Sequence, residues 1–375
     1  MITEQEHNNV QWRKVKLREV INDSYAGGTP NRSRDEYFGG GIPWVTSGEV
    51  NNPEISSTFE NITIEGLNNS SAKWIPENSI LVALYGATAG QVSMLRIKAT
   101  SNQAVLAVIP NADVADTMFL FYQIVYNKDN LLYLAQGSGQ PNLSKNLVDS
   151  LGISIPADLS AQRRIAAILA SADKVIAATQ KTIAKYKQIK QGMMEDLLKP
   201  KEGWKMVKLG ECCEDIFSGK NTTRQDFGKY VVYGSTGPIG YSEDYEYDFD
   251  AVLVARVGAN AGLVNKVSGL YDVSDNTLII KILKNIDLNY LYYLLIHLNL
   301  NQFIFGSGQP LVTAGLLKKI EIPIPYKNDK PDLAEQRRIA AILSGIDAKI
   351  ATEEKVLEKY EKVKKGLMER LLNEQ

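Results

Sequence analysis

The sequence predicts an α/β protein built as a tandem repeat. Two globular α/β domains are separated by two long helices that form an antiparallel coiled coil, with pseudo-twofold symmetry. Three observations predict this fold. The segment QRRIAAIL at residues 162–169 returns unchanged at 336–343. Each copy begins a long segment with helical periodicity, and the two bodies that precede these segments carry the same strand and turn motifs in the same order.

The elements that frame each half occur in pairs. They are an opening strand (residues 12–17 and 204–209), a Gly-Ser-Gly-Gln-Pro turn (137–141 and 306–310) and a short strand (153–156 and 322–325). Ser144 and Thr313 follow the turns as candidate helix caps. The turns lack the third glycine or the lysine of a nucleotide-binding loop, so they predict a change of chain direction and not a phosphate site.

Each body contains a buried-looking strand that runs into a Gly- and Ala-rich turn, at residues 81–90 and 253–262. Such turns let the backbone bend sharply or approach another group closely. A second strand is predicted in each body, at 104–109 and 277–283. The helices that follow are predicted near residues 116–126 and 289–298. Strands mixed with helices in this way indicate two small α/β domains.

The two long helices carry apolar residues at alternating steps of three and four, which is typical of a coiled-coil seam. The seam residues are Leu169, Ala172, Ile176, Thr179, Ile183, Tyr186, Lys190, Met193 and Leu197, and Leu343, Ile346, Ile350, Glu353, Leu357, Tyr360, Lys364, Leu367 and Leu371. Each helix, roughly 50 Å long at a rise of about 1.5 Å per residue, could act as a ruler. Packing of each helix onto its own domain remains the alternative. The polar seam residues favour the coiled coil.

Composition predicts a globular protein of two or more domains. The chain has 375 residues, of which 44% are hydrophobic and 23% are charged. Residues 1–9 lack the apolar stretch of a secretory signal and no apolar run is long enough to span a bilayer, so a cytoplasmic location is expected. Cys212 and Cys213 are neighbours, and the histidines are His7 and His297. These residues predict neither a disulfide framework nor a metal site, and no catalytic constellation is recognisable.

The formal net charge of −1 argues against a protein that grips nucleic acid alone. Neutralisation of phosphates by Lys and Arg supplies most non-specific affinity for DNA. Only residues 160–199 are clearly basic, with eight Lys and Arg against three Asp and Glu. If the chain binds DNA, we expect a partner to supply much of the affinity.

The divergent loops of both bodies are rich in Arg, Lys, Asn, Gln, Ser and Thr, the side chains that pair with base edges and phosphates. A shared frame with different loops is expected of two modules that recognise different things. Solvated surface loops are the alternative for each residue. The candidate DNA-binding residues are Thr29, Asn31, Arg32, Ser33, Arg34, Thr46, Ser47, Tyr85 and Gln140 in the first body, and Lys220, Asn221, Thr222, Arg224, Ser235, Thr236, Arg256 and Gln309 in the second.

Taken together, these motifs resemble the specificity (S) subunit of a type I restriction-modification system. The resemblance extends over nearly the whole chain. It is carried by the paired opening strands, the stretch from Gly27-Gly28-Thr29-Pro30 to Trp44, the paired Gly-Ser-Gly-Gln-Pro turns and the paired QRRIAAIL helices, which end in Met-Glu-Asp-Leu-Leu and Met-Glu-Arg-Leu-Leu. No single motif is decisive, but their order, occurring twice, is specific.

The resemblance implies two target recognition domains at residues 1–158 and 200–332, with conserved helices at 159–199 and 333–375. Each domain would read one half of a bipartite asymmetric sequence in double-stranded DNA, and the helices would dock two methyltransferase subunits. Restriction subunits could join through that core. The subunit itself would be non-catalytic and without a cofactor, because S-adenosylmethionine, ATP and the nuclease would belong to other subunits. Two alternatives remain: the recognition subunit of a type IIB-like system, and a two-lobed scaffold that does not bind DNA.

Overall fold

The computed structural model describes residues 11–135, 142–303 and 311–373. The chain divides into two compact units. Unit 1 comprises Met1–Ala178 with Leu357–Gln375, and unit 2 comprises Thr179–Val356. The chain thus enters unit 2 partway along one long helix and returns to unit 1 partway along the other.

The elements of unit 1 follow in chain order. The strands are β1 (Trp12–Lys16), β2 (Ile21–Ala26), β3 (Phe38–Val45), β4 (Glu54–Ile55), β5 (Glu60–Ile62), β6 (Ile80–Ala83), β7 (Val92–Leu95), β8 (Thr100–Ser101), β9 (Val105–Pro110) and β10 (Gly152–Pro156). The α-helices are α1 (Ile64–Asn68), α2 (Thr117–Tyr126), α3 (Lys128–Ala135) and α4 (Lys145–Asp149). Short 3₁₀ helices are Leu17–Glu19, Asp35–Tyr37 and Ser47–Asn51. The first long helix, α5 (Leu159–Leu198), begins in this unit.

Unit 2 repeats the series. Its strands are β11 (Trp204–Lys208), β12 (Cys213–Ser218), β13 (Tyr230–Gly234), β14 (Gly237–Ser242), β15 (Ala251–Ala255), β16 (Val264–Val267), β17 (Tyr271–Val273), β18 (Thr277–Ile282), β19 (Glu321–Lys327) and β20 (Lys330–Pro331). Its helices are α6 (Leu288–His297) and α7 (Ala314–Lys319), with 3₁₀ helices Leu209–Glu211, Gly258–Asn260 and Leu300–Phe303. The second long helix, α8 (Leu333–Leu371), begins here and ends in unit 1.

Apart from β4 in unit 1 and β20 in unit 2, the strands of the two units correspond one to one. β1 pairs with β10 and β11 pairs with β19, both antiparallel, so that Trp12 faces Pro156 and Trp204 faces Pro325. The larger sheets have the order β2-β9-β6-β7-β4 and β12-β18-β15-β16, and the third sheets have the order β5-β3-β8 and β14-β13-β17. The repeat predicted from the sequence is therefore present in the topology. The predicted strands and body helices agree with the observed ones to within a residue or two at either end.

The core of each unit contains parts of both long helices. In unit 1, Ile165, Ala166 and Leu169 near the start of α5 and Leu371 and Leu372 near the end of α8 join the apolar residues of the sheet and α2. In unit 2 the corresponding helix ends contribute Ile339, Ala340 and Leu343 of α8 and Met194 and Leu198 of α5. The sequence left two alternatives for these helices, packing on the own domain or pairing with the other helix. Treating them as exclusive was wrong, because both occur.

The identical QRRIAAIL segments make equivalent contacts. Gln162 is fully buried; its Oε1 accepts from Asp116 N at 2.7 Å and its Nε2 donates to Pro156 O at 2.8 Å. Gln336 is also fully buried, and its Oε1 accepts from Asp287 N at 2.9 Å. Asp116 and Asp287 are the N-caps of α2 and α6. Each glutamine therefore joins its long helix to the first turn of a body helix, which explains why the residue recurs.

The long helices run antiparallel within each unit. In unit 1 the start of α5 lies beside the end of α8, where Lys364 pairs with Asp173 at 2.5 Å. In unit 2 the end of α5 lies beside the start of α8, where Lys190 pairs with Asp347 at 2.7 Å. Seventeen of the eighteen predicted seam residues are buried or half-buried. Tyr360 departs from the prediction, because 40% of its surface is exposed.

Short polar side chains cap the helices that follow the repeated turns. Ser144 accepts from Leu147 N and Thr313 accepts from Leu316 N, as predicted. Asp332 accepts from the backbone N–H groups of Ala334 and Glu335 at the start of α8. A carboxylate at this position satisfies helix N–H groups that have no partner within the helix.

Candidate nucleic-acid interface

The polar loops of unit 1 meet at one edge of its large sheet, where β2 and β6 end and β9 begins. We define loop cluster 1 as residues 27–34, 46–47, 84–85 and 101–103. Gly28 N donates to Ser101 O at 2.8 Å, and Asn102 N donates to Val45 O at 2.9 Å. The Trp44 indole N–H donates to Gly28 O at 3.0 Å. These bonds hold loops that are far apart in the chain against one another.

A glycine is required at the centre of this cluster. A Cβ added to Gly27 would lie 2.0 Å from Ser101 O, closer than any side chain can approach a backbone oxygen. The glycine-rich stretch that follows β2 therefore has a steric cause, the close approach of two backbone segments. That approach positions the residues from Thr29 onward beside Gln103, whose Oε1 accepts from Thr29 Oγ1.

Unit 2 builds the same frame from different side chains. We define loop cluster 2 as residues 218–224, 233–236, 256–257 and 274–276. Asn221 N donates to Val273 O at 3.0 Å, Ser274 N donates to Tyr233 O at 2.9 Å and Arg256 N donates to Asn276 O at 2.9 Å. In unit 1 the equivalent of the hydrogen bond from Arg256 N to Asn276 O is the one from Leu84 N to Ala104 O, at 2.8 Å. Leu84 and Arg256 thus occupy equivalent positions with unlike side chains.

Both predicted arginines of loop cluster 1 are already paired within the protein. Arg32 makes a bidentate ion pair with Glu60, at 2.6 and 3.3 Å, and its guanidinium lies 4.6 Å from the ring centre of Phe38 and 4.9 Å from that of Trp44. Arg34 pairs with Glu36 at 3.1 Å. Arg32 is therefore held in one geometry, whereas the guanidinium of Arg34 pairs with an exposed carboxylate two residues away.

Thr46 has a structural role that the sequence did not reveal. It caps the 3₁₀ helix Ser47–Asn51, with its N and Oγ1 both donating to Glu49 Oε2, at 2.8 and 2.9 Å. The other oxygen of Glu49 accepts from Phe59 N at 2.9 Å, and this carboxylate side chain is only 3% exposed. Ser47 is the first residue of that 3₁₀ helix. Glu49 thereby ties two loops together, and Phe59 presents its ring to solvent with 86% exposure.

The remaining predicted residues of unit 1 differ in their burial and in their contacts within the protein. Asn31 accepts from the N and Oγ of Ser33 through its Oδ1, at 3.0 and 2.9 Å. Its side-chain amide also carries two N–H donors. Tyr85 is half-buried against the unit 1 core. Gln140 lies outside the described residues.

In loop cluster 2 the predicted residues fall into two groups. Those with contacts inside the protein are Lys220 (Glu246, 3.0 Å), Asn221 (Asp272), Ser235 (Asn276 O, 3.3 Å) and Arg256 (Ser218 Oγ, 3.4 Å). Those that are exposed are Thr222, Arg224 and Thr236. Among the residues that the structure describes, no carboxylate lies within ion-pair distance of Arg224. Gln309 is not among the described residues.

Sequence reasoning missed the acidic and amide partners of these loops. Glu60 and Glu246 lie far from Arg32 and Lys220 in the chain, so no local pattern could have identified them. Gln103 could have been found, because it stands in the polar tripeptide that precedes β9 and is of a type that pairs with base edges. Of the five basic side chains in the two clusters, Arg32, Arg34 and Lys220 are paired with carboxylates of the same chain. Arg256 contacts Ser218 Oγ, and Arg224 is exposed.

Metal binding and thiol chemistry can be checked in the described part of the chain. No group of three or more His, Cys, Asp or Glu side chains there could hold a metal ion. Burial raises the pKa of Cys212 to about 12 and that of Cys213 to about 11, so both thiols stay protonated near neutral pH. None of the described helices is both long enough and apolar enough to cross a membrane.

Comparison with known proteins agrees with this geometry. The family model "Type I restriction modification DNA specificity domain" matches residues 9–189 and 201–362. The MjaVIII type I restriction enzyme specificity subunit of Methanocaldococcus jannaschii is 26% identical, over 96% of this chain and 92% of the relative. The EcoprrI specificity subunit of Escherichia coli is 26% identical, over 90% of this chain and 88% of the relative.

Two solved structures share the fold. The type I restriction-modification S subunit from M. genitalium superposes with a TM-score of 0.66 at 17% identity, over 98% of both chains. A chain from a study of complex assembly and conformational transition in a type I restriction-modification system superposes with a TM-score of 0.61 at 18% identity, over 97% of this chain and 99% of the other. With two matched copies that together include most of its residues, the chain belongs to the family of type I restriction-modification DNA specificity domains.

Proposed function

We propose that this chain is the DNA sequence-specificity subunit of a type I restriction-modification enzyme, and that loop clusters 1 and 2 each read one half of a bipartite asymmetric target. The observation that carries the proposal is the repeated frame. The same backbone hydrogen bonds hold both clusters, while the side chains that they present differ. Two equal scaffolds with unlike polar loops are suited to recognise two unlike sequences.

The charge distribution supports recognition within a larger complex. Arg32, Arg34 and Lys220 are each paired with a carboxylate of this chain, so the loops offer directed hydrogen bonds more than a positive field. Non-specific affinity comes mainly from phosphate neutralisation. We therefore propose that methyltransferase subunits, two of them, dock on the long helices and help to enclose the DNA. The relatives are named specificity subunits, and we propose that this chain likewise carries out no catalysis.

Individual side chains are suited to different parts of recognition. Arg34 and Arg224 can reach DNA at little cost, because neither is locked by a bidentate pair. Arg32 would have to give up Glu60 to bind a base or a phosphate, so it acts in loop positioning. Exposed Thr222 and Thr236 can donate to or accept from base edges.

Methylation mapping of half-site variants tests this assignment. The chain is coexpressed with its methyltransferase subunits, and modified positions in host DNA are read by long-read sequencing. We expect Arg34→Ala to relax or weaken one half-site and Arg224→Ala the other, by about 1 to 3 kcal/mol where a bidentate base contact is lost.

Lys205→Ala is the matched control. This exposed lysine is paired with Asp329, in the turn that precedes β20, and lies outside both loop clusters. It should leave both half-sites unchanged. Equal losses at the two half-sites for either arginine variant, or the absence of any bipartite motif with the unaltered chain, would contradict the proposal.

The continuous long helices support a ruler for the gap between half-sites. Removing one heptad from each, residues 178–184 and 353–359, keeps the apolar seam in phase. Seven residues correspond to roughly 10 Å of helix and hence to about three base pairs of B-DNA. The preferred spacer should shorten accordingly. A length-preserving control, Lys181→Ala with Lys355→Ala, should keep the original spacer, and an unchanged spacer in the shortened protein would refute the ruler.

A further inference from the structure

Each unit contains the same cluster of three side chains where the long helices meet a body helix. In unit 1, Asp173 of α5 accepts from Tyr122 Oη at 2.7 Å and pairs with Lys364 of α8 at 2.5 Å. The lysine ammonium also lies 5.9 Å from the centre of the Tyr122 ring. We call this arrangement the Tyr–Asp–Lys cluster. Its carboxylate is thus bound on both oxygens.

The cluster of unit 2 is built in the same way with the helices exchanged. Asp347 of α8 accepts from Tyr293 Oη at 2.7 Å and pairs with Lys190 of α5 at 2.7 Å. Lys190 lies 5.3 Å from the centre of the Tyr293 ring. Recurrence of all three residue types with nearly equal distances in two otherwise divergent bodies indicates a shared role.

Burial makes the cluster unlike the other ion pairs of the helices. The side chains of Lys364 and Lys190 are 23% and 21% exposed, against 73% for Lys362, which pairs with Glu358 on the surface of α8. Burial, and then the hydrogen bond to the aspartate, raises the pKa of both Tyr122 and Tyr293 well above the usual range, so their hydroxyls remain donors. A lysine that is moved out of such a site leaves a half-buried carboxylate without its counter-ion.

The cluster also distinguishes one helix register from its neighbours. The residue numbers of Asp173 and Lys364 add to the same total as those of Asp347 and Lys190, as partners in one antiparallel register must. The rest of the seam is mainly Leu, Ile, Ala and Met, which tolerate a slip of one heptad. After such a slip in either direction Asp173 would face Leu357 or Leu371. Polar residues in an apolar seam specify register at a cost in stability.

We propose that the two Tyr–Asp–Lys clusters fix the register of the long helices and thereby determine which spacer length between half-sites the protein accepts. Lys190 and Lys364 are then positioning residues for DNA recognition, although they touch no base. This inference rests on the proposed function. The new element is that spacer selectivity depends on two half-buried ion pairs as well as on helix length.

Modification rates on a series of targets test the proposal. The targets share both half-sites and differ in spacer by single base pairs, and the enzyme is the complex of this chain with its methyltransferase subunits. For Lys190→Met with Lys364→Met, we expect the preference for the native spacer over its neighbours to fall by roughly tenfold, equivalent to about 1.4 kcal/mol. Preference for the half-site sequences should not change. Lys190→Arg with Lys364→Arg should retain the native preference.

Lys362→Met is the matched control, since it removes an exposed ion pair from the same helix and should leave the spacer profile unaltered. If the double methionine variant does not fold, the spacer profile of the variant Tyr122→Phe with Tyr293→Phe is measured instead. We expect that variant to lose part of the preference for the native spacer. A folded variant that keeps the full native preference overturns the inference. A failure of the proposed function can be distinguished from a failure of this inference. In that case the unaltered chain would already show no half-site selectivity.

Discussion

Replacing Gln162 by alanine should destabilise unit 1 far more than replacing an exposed residue of the same helix. The buried amide accepts from Asp116 N and donates to two carbonyl oxygens, those of Pro156 at 2.8 Å and Val114 at 3.3 Å. Alanine leaves all three backbone groups without that partner, the Pro156 carbonyl in a buried site and the other two in part-buried ones. An unsatisfied buried group costs about 1 to 3 kcal/mol, so with partial relaxation we expect a total of about 3 to 5 kcal/mol.

Equilibrium urea unfolding measures this loss. Trp204 is the tryptophan of unit 2, so a Trp204→Phe background leaves Trp12, Trp44 and Trp74 to report on unit 1. Lys174→Ala, on the exposed face of α5, is the control and should change stability by no more than about 0.5 kcal/mol.

Two further variants sharpen the comparison. Gln162→Glu keeps the acceptor for Asp116 N but turns the donor into an oxygen that faces two carbonyls, so it should cost at least as much as alanine. Gln336→Ala should cost about 2 to 3 kcal/mol, because among the described residues the side chain of Gln336 bonds Asp287 N and Asn285 O, the latter at 3.3 Å. The reasoning fails if Gln162→Ala unfolds at the same urea concentration as Lys174→Ala.

Three other predictions follow from contacts described above. Gly27→Ala should cost about 1 to 3 kcal/mol because its Cβ would meet Ser101 O, whereas Gly41→Ala, with open space around it, should change the melting temperature little. Glu49→Gln should lower the melting temperature through a loss of about 1 to 3 kcal/mol, since one amide nitrogen would then face an N–H donor; equal melting curves would contradict the capping role. The thiols of Cys212 and Cys213 should react slowly with iodoacetamide at pH 8 and faster toward pH 11. Because the pKa values of both thiols are raised in the folded protein, the protonated thiols should contribute to stability below the ordinary pKa of 9.0. This contribution should be lost as the pH rises to about 11 and beyond. A free energy of unfolding that stays constant between pH 8.5 and 11 would contradict the prediction.

The repeated architecture could be predicted from the sequence because identical residues occupy equivalent environments in the two units. The eight residues that begin with Gln162 and Gln336 bury the same positions and bond the same kind of helix cap in each unit. Local signals also sufficed for Ser144 and Thr313, since a cap acts within three residues of itself. Where the determining contacts are local or duplicated, pattern alone is informative.

The functional surface was less predictable for a physical reason. Loop composition indicated Arg32 as a free recognition residue, but its environment depends on Glu60, brought near by the pairing of β3 with β5. The Tyr–Asp–Lys clusters depend in the same way on the antiparallel helix register. Lys190 and Lys364 were noted as polar seam residues, but their partners could be named only once that register was known. Exposure of Tyr360 is likewise a property of packing and not of periodicity.

The burial of Leu371 and Leu372 in the core of unit 1 has a consequence for biosynthesis. The ribosome completes β10 about two hundred residues before it adds these leucines, so the first domain emerges with an apolar gap that the last turn of α8 later closes. The core of this domain is complete only after that turn has been synthesised. A premature stop codon late in the gene would therefore damage the domain that was synthesised first.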